Sequence, residues 1–178
     1  SGSGVLTLSG VNTYTGYTKI TSGELRLNPS ANNSLSGACV FNGGTLATTG
    51  ITASRAITFG SIDLSDNSTL ALASSTAHTV TFTSAGTFTS GKTLTITGWS
   101  GTYGAGTAGT GGRVYVGSSS SSLTCTQLGQ IRFYNGTSYF PAALLSTGEL
   151  VPVNTPTTTS ISPSTAVEGS AGFTITVN

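Results

Sequence analysis

The sequence predicts an all-β fold, a right-handed parallel β-solenoid (β-helix) of about 20-residue coils closed by a C-terminal cap. Two patterns predict it. Apolar residues alternate with Thr, Ser or charged residues in a series of short runs, as strands with one buried face require. The runs return at intervals of about 17 to 24 residues, a period that belongs to stacked coils. Helical spacing is nearly absent, its one weak candidate lying around residues 124–133.

In chain order the runs are Val5-Leu6-Thr7-Leu8, Glu24-Leu25-Arg26-Leu27, Thr69-Leu70-Ala71-Leu72, Thr79-Val80-Thr81-Phe82-Thr83 and Thr93-Leu94-Thr95-Ile96-Thr97. Between them stand clusters such as Ser9-Gly10-Val11-Asn12, Asn42-Gly43-Gly44 and Ser65-Asp66-Asn67-Ser68. These offer positive φ and short side chains that hydrogen bond their own backbone, so each reads as a turn. Aligning the inward residue of each strand gives Leu6, Leu25, Leu46, Leu70, Leu94, Val114, Ile131 and Leu150. A coil of this length holds two or three short strands with unpaired upper and lower edges, so it folds only against a neighbour. Outward positions go to Thr, whose branched side chain suits a pleat and tolerates water. An antiparallel sandwich shares the short strands and the turns. The recurring Gly-x-Leu-x-Leu phrase favours the solenoid.

Charged residues are 6% of the chain, against about a quarter in an ordinary soluble domain. Ser and Thr make up about a third, Gly contributes 25 residues, and Met is absent. A net charge of +1 leaves no basic stripe, which argues against nucleic acid as a partner. No apolar run approaches the ~20 residues that span a bilayer, so membrane insertion of this segment is not expected. The opening Ser1-Gly2-Ser3-Gly4 lacks a basic segment and an apolar core, and reads as part of a mature or excised fragment. Cys39 and Cys125 are too few for a disulfide scaffold or a zinc site. Both sit in strand-like surroundings, which favours two buried thiols over a single bridge.

The segment from Gly4 to Leu27 resembles the autotransporter-associated β-strand repeat of bacterial passenger and surface proteins. Its distinctive part is Asn12-Thr13-Tyr14-Thr15-Gly16, followed by Thr18, Ile20, Gly23 and Leu25. Coils from Gly44-Thr45-Leu46 to Leu94 resemble degenerate copies that lack the Asn-Thr-Tyr-Thr-Gly phrase. Residues 99–152, from Trp99 through Gly148-Glu149-Leu150-Val151-Pro152, resemble the closing segment of such solenoids. A Gly-rich excursion over 100–112 lets the chain leave the coil, and Trp99, Phe133, Tyr134, Tyr139 and Phe140 are bulky enough to cover the last apolar layer.

Residues 153–160 are a Pro and Thr linker without apolar alternation. Residues 161–178 look like the first strands of an immunoglobulin-like module, too short to bury a core alone. Either the parent chain continues past Asn178, or Phe173, Ile175 and Val177 form a strand-exchange segment that completes a sheet in a neighbour.

His78, the only histidine, has no triad partner in sequence and reads as a packed or surface residue. Asp63 and Asp66, with Ser65 and Asn67, form the densest acidic patch, but a hard cation wants six to eight oxygens; a capped turn is expected. Polysaccharide-acting enzymes also use β-helices, yet five acids across the chain offer little for general acid–base work. Thr-x-Thr phrases raise an ice-binding alternative, against which the varying coil lengths argue. Trp99, Tyr103, Tyr115, Tyr134 and Tyr139 near the cap carry amphipathic rings of the kind that stack on sugars, although core or cap packing explains most of them; Trp99 and Tyr103 are the candidate glycan-contact residues. No catalytic, cofactor-binding or metal-binding residue is assigned, and no enzyme activity is expected. The three Asn-x-Ser/Thr triplets, at Asn32, Asn67 and Asn135, read as turns.

The expectation is an extracellular protein, on the bacterial cell surface or secreted. It would be a stalk or fibre segment that projects or assembles adhesive modules. Homotypic assembly into fibres and surface glycans are the expected partners, and a carbohydrate-binding adhesin is the alternative.

Overall fold

A computed structural model describes residues 2–155, 161–162 and 176–177. The chain starts with β1 (Val5–Leu8), β2 (Thr18–Ile20), β3 (Glu24–Leu27), β4 (Asn33–Ser34) and β5 (Cys39–Asn42). It continues through β6 (Thr45–Ala47), β7 (Ala56–Asp66), β8 (Ser68–Ala71), β9 (His78–Phe88), β10 (Leu94–Thr97) and β11 (Gly112–Val116). The four-residue helix α1 (Cys125–Leu128) precedes β12 (Ile131–Tyr134), β13 (Tyr139–Leu144) and β14 (Glu149–Pro152). These fourteen strands form one hydrogen-bonded sheet, and β1 to β12 stack in parallel. The fold is the expected β-solenoid.

Each coil has three sides. The first stacks β1, β3, β6, β8, β10 and β12. The second stacks β4 on the opening halves of β7 and β9 and then on β11, while the third stacks β2 and β5 on their closing halves. β7 and β9 each turn a corner without breaking, at Gly60 in β7 and at Thr83 in β9. Gly60 sits at the bend of β7, and Gly37 occupies the same corner one coil earlier, where Gly60 N–H donates to its carbonyl at 2.9 Å. A Cβ on Gly37 would lie 2.1 Å from the carbonyl oxygen of Gly16, so the corner closes only around glycine.

The interior is a set of ladders. Leu6, Leu25, Leu46, Leu70, Ile96 and Phe133 stand in register on the first side. This differs from the sequence alignment beyond Leu70: the partner of Leu70 is Ile96 rather than Leu94, and Val114 and Leu150 belong to the second side. The alignment allowed steps of about 17 to 24 residues, whereas Leu70 to Ile96 spans 26 and Ile96 to Phe133 spans 37, because the last coils carry the 100–112 excursion and α1. On the second side Phe59 and Phe82 stack at 5.6 Å, and Phe41 meets Phe82 edge-on at 6.2 Å. Filling the interior with aromatic and branched side chains stabilises the stack by about 25 cal/mol for each Å² of apolar surface removed from water.

The two ends differ. β13 and β14 form an antiparallel hairpin: β13 pairs with β12 of the first side, and β14 with β11 of the second. The hairpin thus joins both stacks and closes one end. At the other end the sheet stops at β1 and β2, both from the first coil. Val5, Leu6, Val11, Tyr14 and Tyr17 are exposed there, Leu6 by 62%. Leu6 heads the inward ladder among the described residues.

Val153 bridges to Ala105, so the chain stays on the cap one residue into the expected linker. β15 (Ile161–Ser162) and β16 (Thr176–Val177) pair antiparallel with each other, Ile161 opposite Val177. The rest of the expected immunoglobulin-like segment, including Phe173 and Ile175, lies outside the described residues. The weak helical signal shrinks to α1, where Thr124 and Gln127 form a reciprocal capping box. Cys39 is buried and burial pushes its thiol well above the ordinary range, but Cys125 is exposed. The expectation of two buried thiols fails at Cys125 because it opens α1, a helix with no buried residue.

Candidate functional site

The capped end gathers most of the ring-bearing side chains. Trp99 leaves β10 after Gly98, whose φ of 71° turns the chain, and the indole comes to rest 4% exposed. It meets Tyr103 edge-on at 5.1 Å and Phe133 at 5.8 Å. Cβ atoms on Gly101 or Gly109 would collide with the indole, so the Gly-rich excursion lies directly over it. Tyr103 is half-buried, and its hydroxyl donates to the Trp99 carbonyl at 3.2 Å. Burial raises its phenol pKa. The expected glycan-contact pair is therefore a packing pair, and the indole presents no open face to a sugar. Only its margin, with Tyr103 and Tyr134, borders a shallow hollow of about 440 Å³.

Glu149 holds the excursion in place, a role the sequence reading missed. It is 2% exposed at the start of β14. Gly109 N–H donates to one carboxylate oxygen at 2.8 Å, and the Tyr115 hydroxyl donates to the other at 3.3 Å. Burial, with Glu149 beside it, raises the Tyr115 phenol pKa. The available signal was an acid set among the apolar residues of Leu150-Val151-Pro152, where a charge needs partners.

A row of side chains lies on the outer surface of the first side: Tyr134 and Tyr139, which the sequence named among the cap aromatics, and Arg132, which it did not. Strand alternation turns Ile131 and Phe133 inward, leaving Arg132 and Tyr134 outward. Register sets Arg132 between Thr95 and Pro141, and Tyr134 between Thr97 and Tyr139. The Tyr134 and Tyr139 rings lie 4.7 Å apart, and the Arg132 guanidinium stands 4.2 Å from the Tyr139 ring centroid.

His78 is buried at the head of β9. Its Nδ1–H donates to the Thr76 carbonyl at 2.8 Å, so Nε2 is the acceptor for the Thr48 hydroxyl, also at 2.8 Å. Burial lowers its pKa. The ring joins successive coils as a neutral hydrogen-bonding group, and nothing around it resembles a triad. Asp63 accepts from the Ser61 hydroxyl and from Thr87 N–H, bracing the third side. Asp66 accepts from Asn67 N–H and pairs with Lys92 at 2.7 Å, which holds its carboxyl below the usual range. Asp66 caps the turn into β8 as expected, whereas Asp63 lies within β7 rather than in a turn.

Residues 1–27 and 22–47 match the passenger-associated-transport-repeat family. The first two coils are similar to passenger-associated-transport-repeats. The matched residues span β1 to β6, and they contain the Asn12-Thr13-Tyr14-Thr15-Gly16 phrase together with the first two turns of the ladder. No curated protein and no solved structure gives a significant match. The repeat points to an autotransporter passenger-associated protein, secreted or held at the cell surface.

Proposed function

We propose that the chain is a structural segment of an extracellular β-solenoid: a rigid, non-enzymatic piece of stalk that holds adhesive modules away from the bacterial surface. The observation that carries this reading is the union of two repeats of the passenger type with a stack closed by a hairpin at the opposite end. A stack of parallel coils rises about 4.8 Å per coil, so six coils on the first side give a short, stiff rod. Stiffness comes from the interior ladders and the backbone bonds between coils, and only two ion pairs occur among the described residues. Such a rod tolerates changes of ionic strength outside the cell.

Homotypic assembly belongs to the same reading. The first coil supplies the free edges and the exposed apolar side chains, and the hairpin blocks the far end. In the 178-residue chain by itself, that coil is the face through which two copies pair.

Fluorescent antibody against the chain, applied to intact source cells before and after external protease, tests the proposal. Surface labelling that protease removes is expected. Signal seen only after the cells are opened would sink the reading.

A further inference from the structure

We propose that the outer surface of the capped end binds an anionic polysaccharide. Arg132 would hold the oxyanion of an acidic sugar, and the Tyr134–Tyr139 pair would carry sugar rings beside it. The idea goes beyond the stalk reading and does not depend on it.

Three planar groups are already ordered in a row. Arg132 Nε–H donates to Thr95 Oγ1 at 3.2 Å while the guanidinium lies against Tyr139, and the Tyr134 hydroxyl donates to the Gly136 carbonyl at 2.7 Å. Side chains fixed in advance lose little rotamer freedom when a ligand arrives. Tyr139 is 55% exposed, and it is the one large exposed hydrophobic residue outside the first coil among those described.

The guanidinium has donors to spare. No carboxylate among the described residues lies within ion-pair distance of Arg132. Glu24 is paired with Arg26, Asp66 with Lys92, Asp63 is bonded to Ser61 and Thr87, and Glu149 is buried beneath the excursion. A cation held in position with its fork open matches the geometry of a carboxylate or a sulfate. The row also lines two hollows. One, of about 440 Å³, is bordered by Tyr134 and Asn135; the other, of about 510 Å³, is bordered by Arg132, Tyr139 and Pro141. A row that lines two hollows suits a chain of sugars better than a single one, and aromatic rings beside a cation are the chemistry that recognises acidic sugars.

Isothermal titration of the 178-residue chain with oligogalacturonate, with its methyl-esterified form and with sulfated dextran tests the proposal. The acid form should bind at least tenfold more tightly than the ester, and added salt should weaken it. Binding of sulfated dextran in its place would still support an oxyanion site and identify the anion as sulfate. Arg132→Gln should weaken binding of the anionic polymer at least tenfold and abolish the difference between acid and ester. Tyr139→Ala should weaken both forms, while Tyr139→Phe retains binding. Both side chains lie on the surface, so unchanged circular dichroism and Tm are expected for each variant. Equal affinity for acid and ester overturns the proposal, as does no binding of either anionic polymer. So does a loss in Arg55→Gln as large as in Arg132→Gln, because Arg55 lies elsewhere and would then report charge alone.

Discussion

Phe82 touches the aromatic side chains of two other strands, and its side chain is fully buried. Phe82→Ala leaves a void in a stack whose neighbours are pinned by their own backbone ladders, so the site collapses poorly. A loss of about 3–5 kcal/mol is expected in urea unfolding. His78 makes a different prediction. Its folded pKa is lowered from the model-peptide value of 6.5 by burial, so the unfolded chain takes up the proton first as pH falls. Stability is then fully present above about pH 6.5 and declines below it, toward the lower folded pKa. Asp66, the acid held below its usual range, stays ionised over that window. Thermal melts at pH 7.5 and pH 5 should show the decline, and His78→Gln should flatten it; an equal slope in the variant would remove His78 as the cause.

At the scale of elements, the corners set the fold as firmly as the strands. Gly37→Ala would drive a methyl group toward the Gly16 carbonyl, and about 1–3 kcal/mol of destabilisation is expected by the same unfolding assay. Retention of wild-type stability would mean that the corner relaxes. The strands themselves were legible because alternation records which face is buried: Glu24–Leu27 and Leu94–Thr97 fall within a residue of the runs read from sequence. The turns at Asn42-Gly43-Gly44 and Asn67 were legible from their chemistry. Coil length was not. Leu70 and Ile96 are partners across 26 residues, and Ile96 and Phe133 across 37, because extra chain accumulates at the corners without disturbing the ladders. The closing hairpin was equally hidden, since antiparallel and parallel strands carry the same alternation. At the candidate site the sequence named the aromatic residues near the cap but not which of them the cap buries. Aromatic character gave no sign that the Gly-rich excursion covers Trp99, whereas the alternation over Ile131-Arg132-Phe133-Tyr134 did carry the outward placement of Arg132 and Tyr134.

At the scale of the whole molecule, exposed edge and exposed apolar surface coincide at the first coil. If two copies pair there through β1, strand parity restricts the register. Opposite residues must face the same side of the sheet, so Leu6 meets either Leu6 or Leu8 of the other copy and never Thr7. No charged residue occurs before Lys19, so no like charges oppose each other across that pairing. Sedimentation of the 178-residue chain by itself should show a concentration-dependent monomer–dimer equilibrium that Leu6→Lys abolishes, since a buried, unpaired ammonium is costly. Species growing beyond two would contradict a blocked far end.

The uneven lengths of successive coils carry a last consequence. Between the first and second sides the connection runs from Asn28 to Asn32 after β3, but from Gly98 to Gly111 after β10, while the register of the flanking strands survives. Whatever is spliced into that one seam leaves the shaft intact. The same seam, repeated at every level, is a column of mounting points along one ridge of the rod, where a surface protein gains new loops without renegotiating its interior.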